Sequence, residues 1–417
     1  MDPLQKSQHV VIIFQENRTP DNLFHGLPNA DIAVSGVNSH GQTIPLTPVS
    51  LAAAYDLDHS HAGFVAYYHN GKMDGADTRP ATCAKNTAHC PTNPQFVYVP
   101  PSEVTPYFDL AEQYAFADRM FQTNQGPSFP AHQYIISGTS APAATSDLFA
   151  AENPFWRHGP PGNNNFSNSG CAASLRLVVS LIDPSGNESL NSFPCFDHLT
   201  LPDLLDASHL SWRYYTVGDG WNELWNGPAA IRHLRFGPDW SNVMRQNIQI
   251  FSDIATGHLP AVSWVIPDGS YSDHPRYNDG SGPSWVAAIV NAIGTSQYWS
   301  TTTIFITWDD WGGFYDHVPP PIYNSYEYGF RVPLLVVSPY AKPGYVSHVT
   351  HDFGSILRFI EEKFGLPSLG YADSRADNFS DSFDFAQQPL QFHTLAAPLI
   401  AKHFLEDKRQ PTDPDDD

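Results

Sequence analysis

Val10-Val11-Ile12-Ile13-Phe14 runs straight into Gln15-Glu16-Asn17, and Thr303-Ile304-Phe305-Ile306-Thr307 runs into Trp308-Asp309-Asp310. Each apolar run has the length and β-branched content of a buried strand. Parallel sheets of α/β proteins gather the carboxyl ends of their strands at one edge, where ligands bind. Two acidic pairs far apart in sequence are thus expected to share one site. Three carboxylates meeting there repel one another unless a cation lies between them. Asp and Asn after a strand are also ordinary turn formers, which accounts for either pair alone better than for both.

Beyond these two runs, further strand-like stretches are expected at Trp212–Val217, Ala261–Ile266 and Leu334–Ser338. Between them lie stretches with helical spacing: Thr105–Phe121, Leu199–Ala207, Ser284–Ile293 and Asp352–Phe364, the last opened by an N-cap residue and closed by Gly365. Alternation of strand and helix predicts an α/β fold, a mainly parallel central sheet flanked by helices. No internal repeat is present. Residues 1–408 are expected to form one domain. Ser137–Pro194, rich in Ala, Ser, Asn, Pro and Gly, is too long for an ordinary connection and is expected to be an inserted cap or lid. Gly26–Pro48 is a shorter polar excursion, and 409–417 is expected to be an acidic disordered tail.

Lys+Arg total 21 against 43 Asp+Glu, a formal charge of −22 over 417 residues. That balance argues against nucleic acid or an anionic membrane surface as partner. An anionic substrate is compatible with it, because one bound cation reverses the local field. No apolar run reaches the length of a membrane span, and Met1–Gln8 is polar, unlike a signal peptide. Of three possible pairings of four cysteines, Cys83–Cys90 with Cys171–Cys195 is the simplest. Disulfides would place the chain in an oxidising compartment, periplasmic or secreted, with four unlinked thiols and a cytoplasmic location as the alternative.

Ser128 sits in Asn124-Gln125-Gly126-Pro127-Ser128-Phe129-Pro130, where Gly and Pro make a fixed turn able to hold a hydroxyl at a helix edge. A metal alongside would favour its alkoxide. A serine in such a turn is commonly a turn residue only, and no Gly-x-Ser-x-Gly elbow is present. Asp56-Leu57-Asp58-His59-Ser60-His61 clusters acid and imidazole, and Gly71-Lys72-Met73-Asp74-Gly75 adds an ammonium able to hold phosphate oxygens. His274, in Ser272-Asp273-His274-Pro275, follows the run at 261–266 and is placed to protonate a leaving group. Asp316-His317 ends the run begun at Asp309, and Gly312-Gly313 between them allows a tight return. Any one of 19 histidines is more often structural than catalytic.

Taken together, VVIIFQENRTPDNLFHG, DLDHSHAGF with GKMDG, PYFDLAEQYAFADRMFQTNQGPSFPAHQYIISG, SYSDHP, TWDDWGGFYDHVPPP and RVPLLVVSPYAKPGYVSHVTHDFGSILRFIEEKFGLPSL resemble a bacterial phosphoesterase family. It contains phosphatidylcholine-type phospholipases C and related acid phosphatases and belongs to the alkaline-phosphatase superfamily. The resemblance runs from about Val10 to about Phe383. It implies an alkaline-phosphatase-like fold and one divalent metal ion (Ca, Mg, Mn or Zn) on Glu16, Asp309 and Asp310. It implies Ser128 as nucleophile, Asn17 beside metal and phosphate, and His59, Lys72 and His274 in phosphate contact or proton transfer. His198 is a further candidate in a segment that aligns less well; His317 and Asp352 match supporting positions.

Relatives usually read Glu-Asn-Arg-Ser-Phe-Asp where this chain has Thr19-Pro20 after Arg18, a change that affects the loop more than the ligands. The phospholipase branch usually carries Asp-Glu where Asp309-Asp310 stands here, and the acid-phosphatase branch carries two aspartates. Sulfatases of the superfamily need Cys or Ser followed by x-Pro-x-Arg, and Ser128-Phe129-Pro130-Ala131-His132 lacks the Arg. The expected function is metal-dependent hydrolysis of a small phosphate ester through a phosphoserine. The alternatives are a phospholipase C acting on phospholipid and, more distantly, a non-catalytic metal-stabilised binding module.

Overall fold

A computed structural model describes residues 6–83, 90–157, 170–217 and 224–411. Eight strands form its main sheet: β1 His9–Gln15, β2 Ala115–Ala117, β3 Trp212–Tyr215, β4 Val243–Met244, β5 Val262–Val265, β6 Thr302–Trp308, β7 Leu334–Val337 and β8 Tyr345–Ser347. Their order is β4-β3-β5-β1-β6-β7-β2-β8. β7 alone is antiparallel to its neighbours. The α/β class and the mainly parallel sheet expected from the sequence are therefore observed. β1 is buried from Val10 onward and β6 along its whole length, as central strands covered on both faces must be.

Helices cover both faces. We label α1 His61–Tyr68, α2 Thr105–Gln113, α3 Ser128–Ser137, α4 Gly282–Gly294 and α5 Phe353–Phe364. Phe14 of β1 and Phe305 of β6 meet Phe353 and Phe359 of α5, with ring centroids 6.0 and 5.1 Å apart. Trp308, of opposite parity to Phe305, meets Tyr107 of α2 at 5.1 Å on the other face, as strand alternation requires. Asp352 caps α5, and Gly365 ends it in the left-handed region at φ 66°, as expected.

The helix expected over Thr105–Phe121 stops at Gln113. Ala115-Phe116-Ala117 has helical propensity but is fully buried and fills a place in the sheet between β7 and β8; tertiary pairing overrides local preference there. Residues 149–192, inside the stretch expected as a cap, carry a separate antiparallel sheet made by Phe149–Ala150, Phe155–Trp156, Leu177–Ile182 and Leu190–Ser192. The disulfides are Cys83–Cys90 and Cys171–Cys195, with Cα atoms 5.9 and 4.4 Å apart. Of the expected tail, Arg409 is part of the folded body through ion pairs to Asp279 and Asp407; 412–417 lie outside the described residues. No helix among the described residues is long and apolar enough to cross a membrane.

Candidate active site

The register of β1 against β6 ends on Gln15 and Trp308. The ladder then continues, with Asp309 N–H donating to Gln15 O and Arg18 N–H donating to Asp310 O, both at 3.0 Å. Glu16 and Asp309 therefore leave the sheet side by side, both fully buried. Asn17 turns through the left-handed region at φ 61°, which Asn tolerates better than most side chains. Its N–H thereby reaches Asp309 Oδ1 at 3.0 Å. Gly312 and Gly313, at φ 62° and 73°, fold the other strand end back onto this turn. A Cβ on Gly312 would stand 2.3 Å from Asn17 O, and one on Gly313 2.5 Å from Leu57 Cβ.

Ser128 opens α3. Gln122 Nε2 and Asn124 Nδ2 both donate to Gly126 O, at 3.0 and 2.8 Å, and hold the turn before it. Pro127 at the N-cap provides no side-chain cap; Asn153 Oδ1 instead accepts the Phe129 N–H at 2.9 Å. Ser128 Oγ is 3.4 Å from Asp310 Oδ2, while Asp310 Oδ1 accepts the Gly312 N–H at 2.7 Å. The hydroxyl also lies at the positive end of the helix dipole, which favours its anionic form.

One turn along α3, on the Ser128 face, His132 joins the acidic pair. Its Nε2 is 3.5 Å from Glu16 Oε1 and 4.0 Å from Asp309 Oδ2. Tyr214 OH donates to Trp225 O at 2.7 Å. Its oxygen therefore accepts from His132 Nδ1, 3.2 Å away. That leaves the Nε2 lone pair facing the carboxylates, the tautomer a metal ligand needs. One donor atom each of Glu16, His132 and Asp309 lie within 4.8 Å of one another. Asp309 Oδ2 is buried with no hydrogen-bond partner. Two buried carboxylates and an imidazole so arranged fit a cation.

Of the expected trio, Glu16 and Asp309 fall in this group together with His132, and Asp310 contacts Ser128. The sequence carried a signal for His132, four residues after Ser128 on one helix; nothing local marks Tyr214 or Trp225, which come from distant segments.

His59 Nδ1 donates to Leu57 O at 2.8 Å, so its Nε2 accepts from Asn17 Nδ2 at 3.2 Å. His274 Nδ1 donates to Pro275 O at 2.7 Å. Its ring lies 6.0 Å from both His59 and Trp225, whose own ring is 6.5 Å from His132. Glu16, Asn17, His59, Ser128, His274, Asp309 and Asp310 are thus gathered in one place. Lys72 is not: it is exposed after α1, and among the described residues no hydrogen bond or ion pair joins its ammonium to this group. His198 is not either. Its ring packs 6.1 Å from Tyr371, which borders Gly138. That is the far end of α3, about 15 Å from Ser128 at 1.5 Å per residue.

Two further acidic–imidazole groups are balanced within the protein itself. Asp21, Asp316 and His317 surround Arg331, whose Nη2 is 2.6 Å from Asp316 Oδ1 and 3.2 Å from Asp21 Oδ1. His351 turns Nδ1 to Asp377 and Nε2 to Asp381, at 3.4 and 3.9 Å, so its imidazole bridges two carboxylates.

Beside the site opens a cleft of about 390 Å³ lined by Asp56, Asp58, His59, Pro127, Glu152 and Asn153 among others.

Hemolytic phospholipase C of Pseudomonas aeruginosa is 23% identical over 433 residues, covering 87% of this chain and 53% of that protein. Phospholipase C B of Mycobacterium tuberculosis is 24% identical over 454 residues, covering 92% and 78%. The chain spans little more than half the length of the Pseudomonas relatives. Among solved structures, a protein of the alkaline phosphatase superfamily from Vibrio parahaemolyticus superposes with a TM-score of 0.39 at 12% identity, covering 90% of this chain and 72% of that one. The profile of the Phosphoesterase family matches residues 7–367, and the chain belongs to that family.

Proposed function

We propose that the protein hydrolyses small phosphate esters through a phosphoserine at Ser128, as an acid phosphatase does. The observation that carries this reading is the contact of Ser128 Oγ with Asp310 Oδ2 at 3.4 Å, at a helix N-terminus beside Glu16, His132 and Asp309. Asp310 Oδ2 is positioned to take the hydroxyl proton. Ser128 Oγ then attacks phosphorus, the P–O bond to the alcohol breaks, and the departing oxygen takes a proton from His274 Nε2. Water attacks the phosphoserine in the second half and releases phosphate. Asn17 and His59, linked to each other, border the phosphoryl group. Glu16, His132 and Asp309 would hold a divalent cation, which when bound offsets negative charge on the phosphoryl oxygens and favours the serine alkoxide. An imidazole in the donor set suits Zn better than Ca, Mg or Mn. Lys72 and His198 take no part in these steps.

A phospholipase C is the second reading, favoured by the names of the relatives. Turnover of an aryl phosphate, compared with release of phosphocholine from phosphatidylcholine, separates the two. Loss of both activities in metal-loaded protein would leave a binding module. The two disulfides fit a periplasmic or secreted protein.

A further inference from the structure

The link between the Phe149–Ala150 and Phe155–Trp156 strands of the small sheet packs on the nucleophile turn through Ala151 and Asn153. A Cβ on Gly126 would stand 2.3 Å from Ala151 O, so this backbone packs directly on the turn. Asn153 holds the Phe129 N–H, one residue past Ser128. Glu152 Oε1 accepts the His61 N–H at 3.0 Å, two residues past His59. Glu152 therefore spans the segments that carry the proposed nucleophile and His59, and it lines the cleft beside them.

The groups facing Glu152 are mostly acidic. Glu188, from the turn before Leu190–Ser192, holds His61 Nδ1 at 2.5 Å. Asp58 lies on the cleft wall with its partner Arg79, and His59 adjoins it. Burial, then the negative charge of Glu188, push the Glu152 carboxyl up to about 8, with Asp58 adding to the rise and the His61 N–H and His59 opposing it. The acid therefore keeps its proton at neutral pH. Oε1 is engaged by the His61 N–H, so Oε2 carries the proton and Glu152 is a donor.

The geometry points to Glu152 as a specificity-determining residue that donates a hydrogen bond to an oxygen on the alcohol portion of the ester, so that the cleft selects phosphate esters of neutral polyols. This rests on the proposed hydrolysis at Ser128. Esters whose alcohol portion is itself anionic meet Asp56 and Asp58 on the cleft wall and are disfavoured.

The test measures kcat/KM from pH 6 to 10, with added divalent metal, for glycerol phosphate, phosphoglycolate and phenyl phosphate, the last having no oxygen beyond the ester. In the parent, the glycerol-to-phenyl ratio should fall about fivefold as pH rises through about 8, the loss expected for one hydrogen bond. Glu152→Gln, whose amide donates at every pH, should hold the ratio high and flat. Glu152→Ala should hold it low throughout, and phosphoglycolate should be the poorest substrate of the parent. A ratio with the same pH profile in all three proteins, or equal use of glycerol phosphate and phosphoglycolate, overturns the inference while phenyl phosphate turnover keeps the hydrolase reading intact. No turnover of any ester by the metal-loaded parent overturns both.

Discussion

The Asn17 backbone N–H donates to Asp309 Oδ1 at 3.0 Å, joining residues 292 positions apart where adjacent parallel strands end. The bond forms because Asn17 turns left-handed, and there is room for that turn because Gly312 carries no Cβ. Gly312→Ala should therefore lower stability by about 1–3 kcal/mol and reduce kcat more than KM. Gly186 is the control: it has φ 82° with nothing within 4 Å of a Cβ, so Gly186→Ala should cost only its backbone strain, about 1 kcal/mol. Thermal melts and aryl phosphate kinetics of both variants check this; equal effects would mean that the Asn17 turn is not under steric control.

Metal content separates the two roles open to Asp310. Glu16→Ala and His132→Ala should lose a bound divalent ion outright. Tyr214→Phe, which removes the acceptor for His132 Nδ1, should weaken binding on the order of 10–100-fold. Asp310→Asn should keep the metal and lose turnover, because its Oδ2 faces Ser128 Oγ. Loss of metal from Asp310→Asn would return it to the ligand set. Elemental analysis of dialysed proteins reads all four.

Ser128→Ala should abolish turnover with little change in melting temperature, since one hydroxyl contributes little to packing. Vanadate should inhibit the parent by adopting the geometry of five-coordinate phosphorus. Substantial residual activity in Ser128→Ala would exclude the phosphoserine.

How far the sequence is readable depends on the range of the forces involved. β1 and β6 are legible because central strands are apolar on both faces, and the acidic residues after them are legible because strand ends are where parallel sheets bind ligands. Ala115–Ala117 is not, because its strand state exists only through pairing with β7 and β8. Four residues along a helix from Ser128 place His132 on the same face, but what turns its Nε2 lone pair toward the carboxylates is Tyr214, from a strand that sequence spacing cannot locate. Lys72 has the right chemistry for a phosphate and sits between Gly71 and Gly75 in a distinctive motif, yet it stands exposed after α1. Residue type alone does not fix where a loop points.

Asp352 makes stability depend on pH. Burial pushes its carboxyl up to about 7, with Arg375 3.5 Å away opposing and Glu327 adding repulsion. The unfolded chain releases that proton near its ordinary value, about 4. Between those two values the folded state binds more protons, so this group lowers stability as pH rises through the window. Asp352→Asn keeps an N-cap side chain for α5 and should flatten the stability profile from about pH 4 to 7 relative to the parent. Parallel denaturation profiles of the two proteins would show that Asp352 ionises normally in the fold.

His274 offers the sharpest test of the proposed chemistry. Its Nδ1 proton is committed to Pro275 O at 2.7 Å, so any proton it passes to substrate travels through Nε2. If Nε2 protonates the departing oxygen, the need for it grows with the basicity of the alcohol. An alkyl phosphate leaves as a strongly basic alkoxide and depends on the proton. A nitrophenyl phosphate leaves as a stable phenoxide and hardly does. His274→Asn should therefore lower kcat/KM on the order of 100-fold or more for the alkyl ester, and far less for the nitrophenyl ester. Were His274 only a hydrogen-bond donor to the phosphoryl oxygens, it would act alike on both substrates. The ratio of the two losses, measured on the same preparations, decides between these roles, and a ratio of one assigns His274 to phosphate binding.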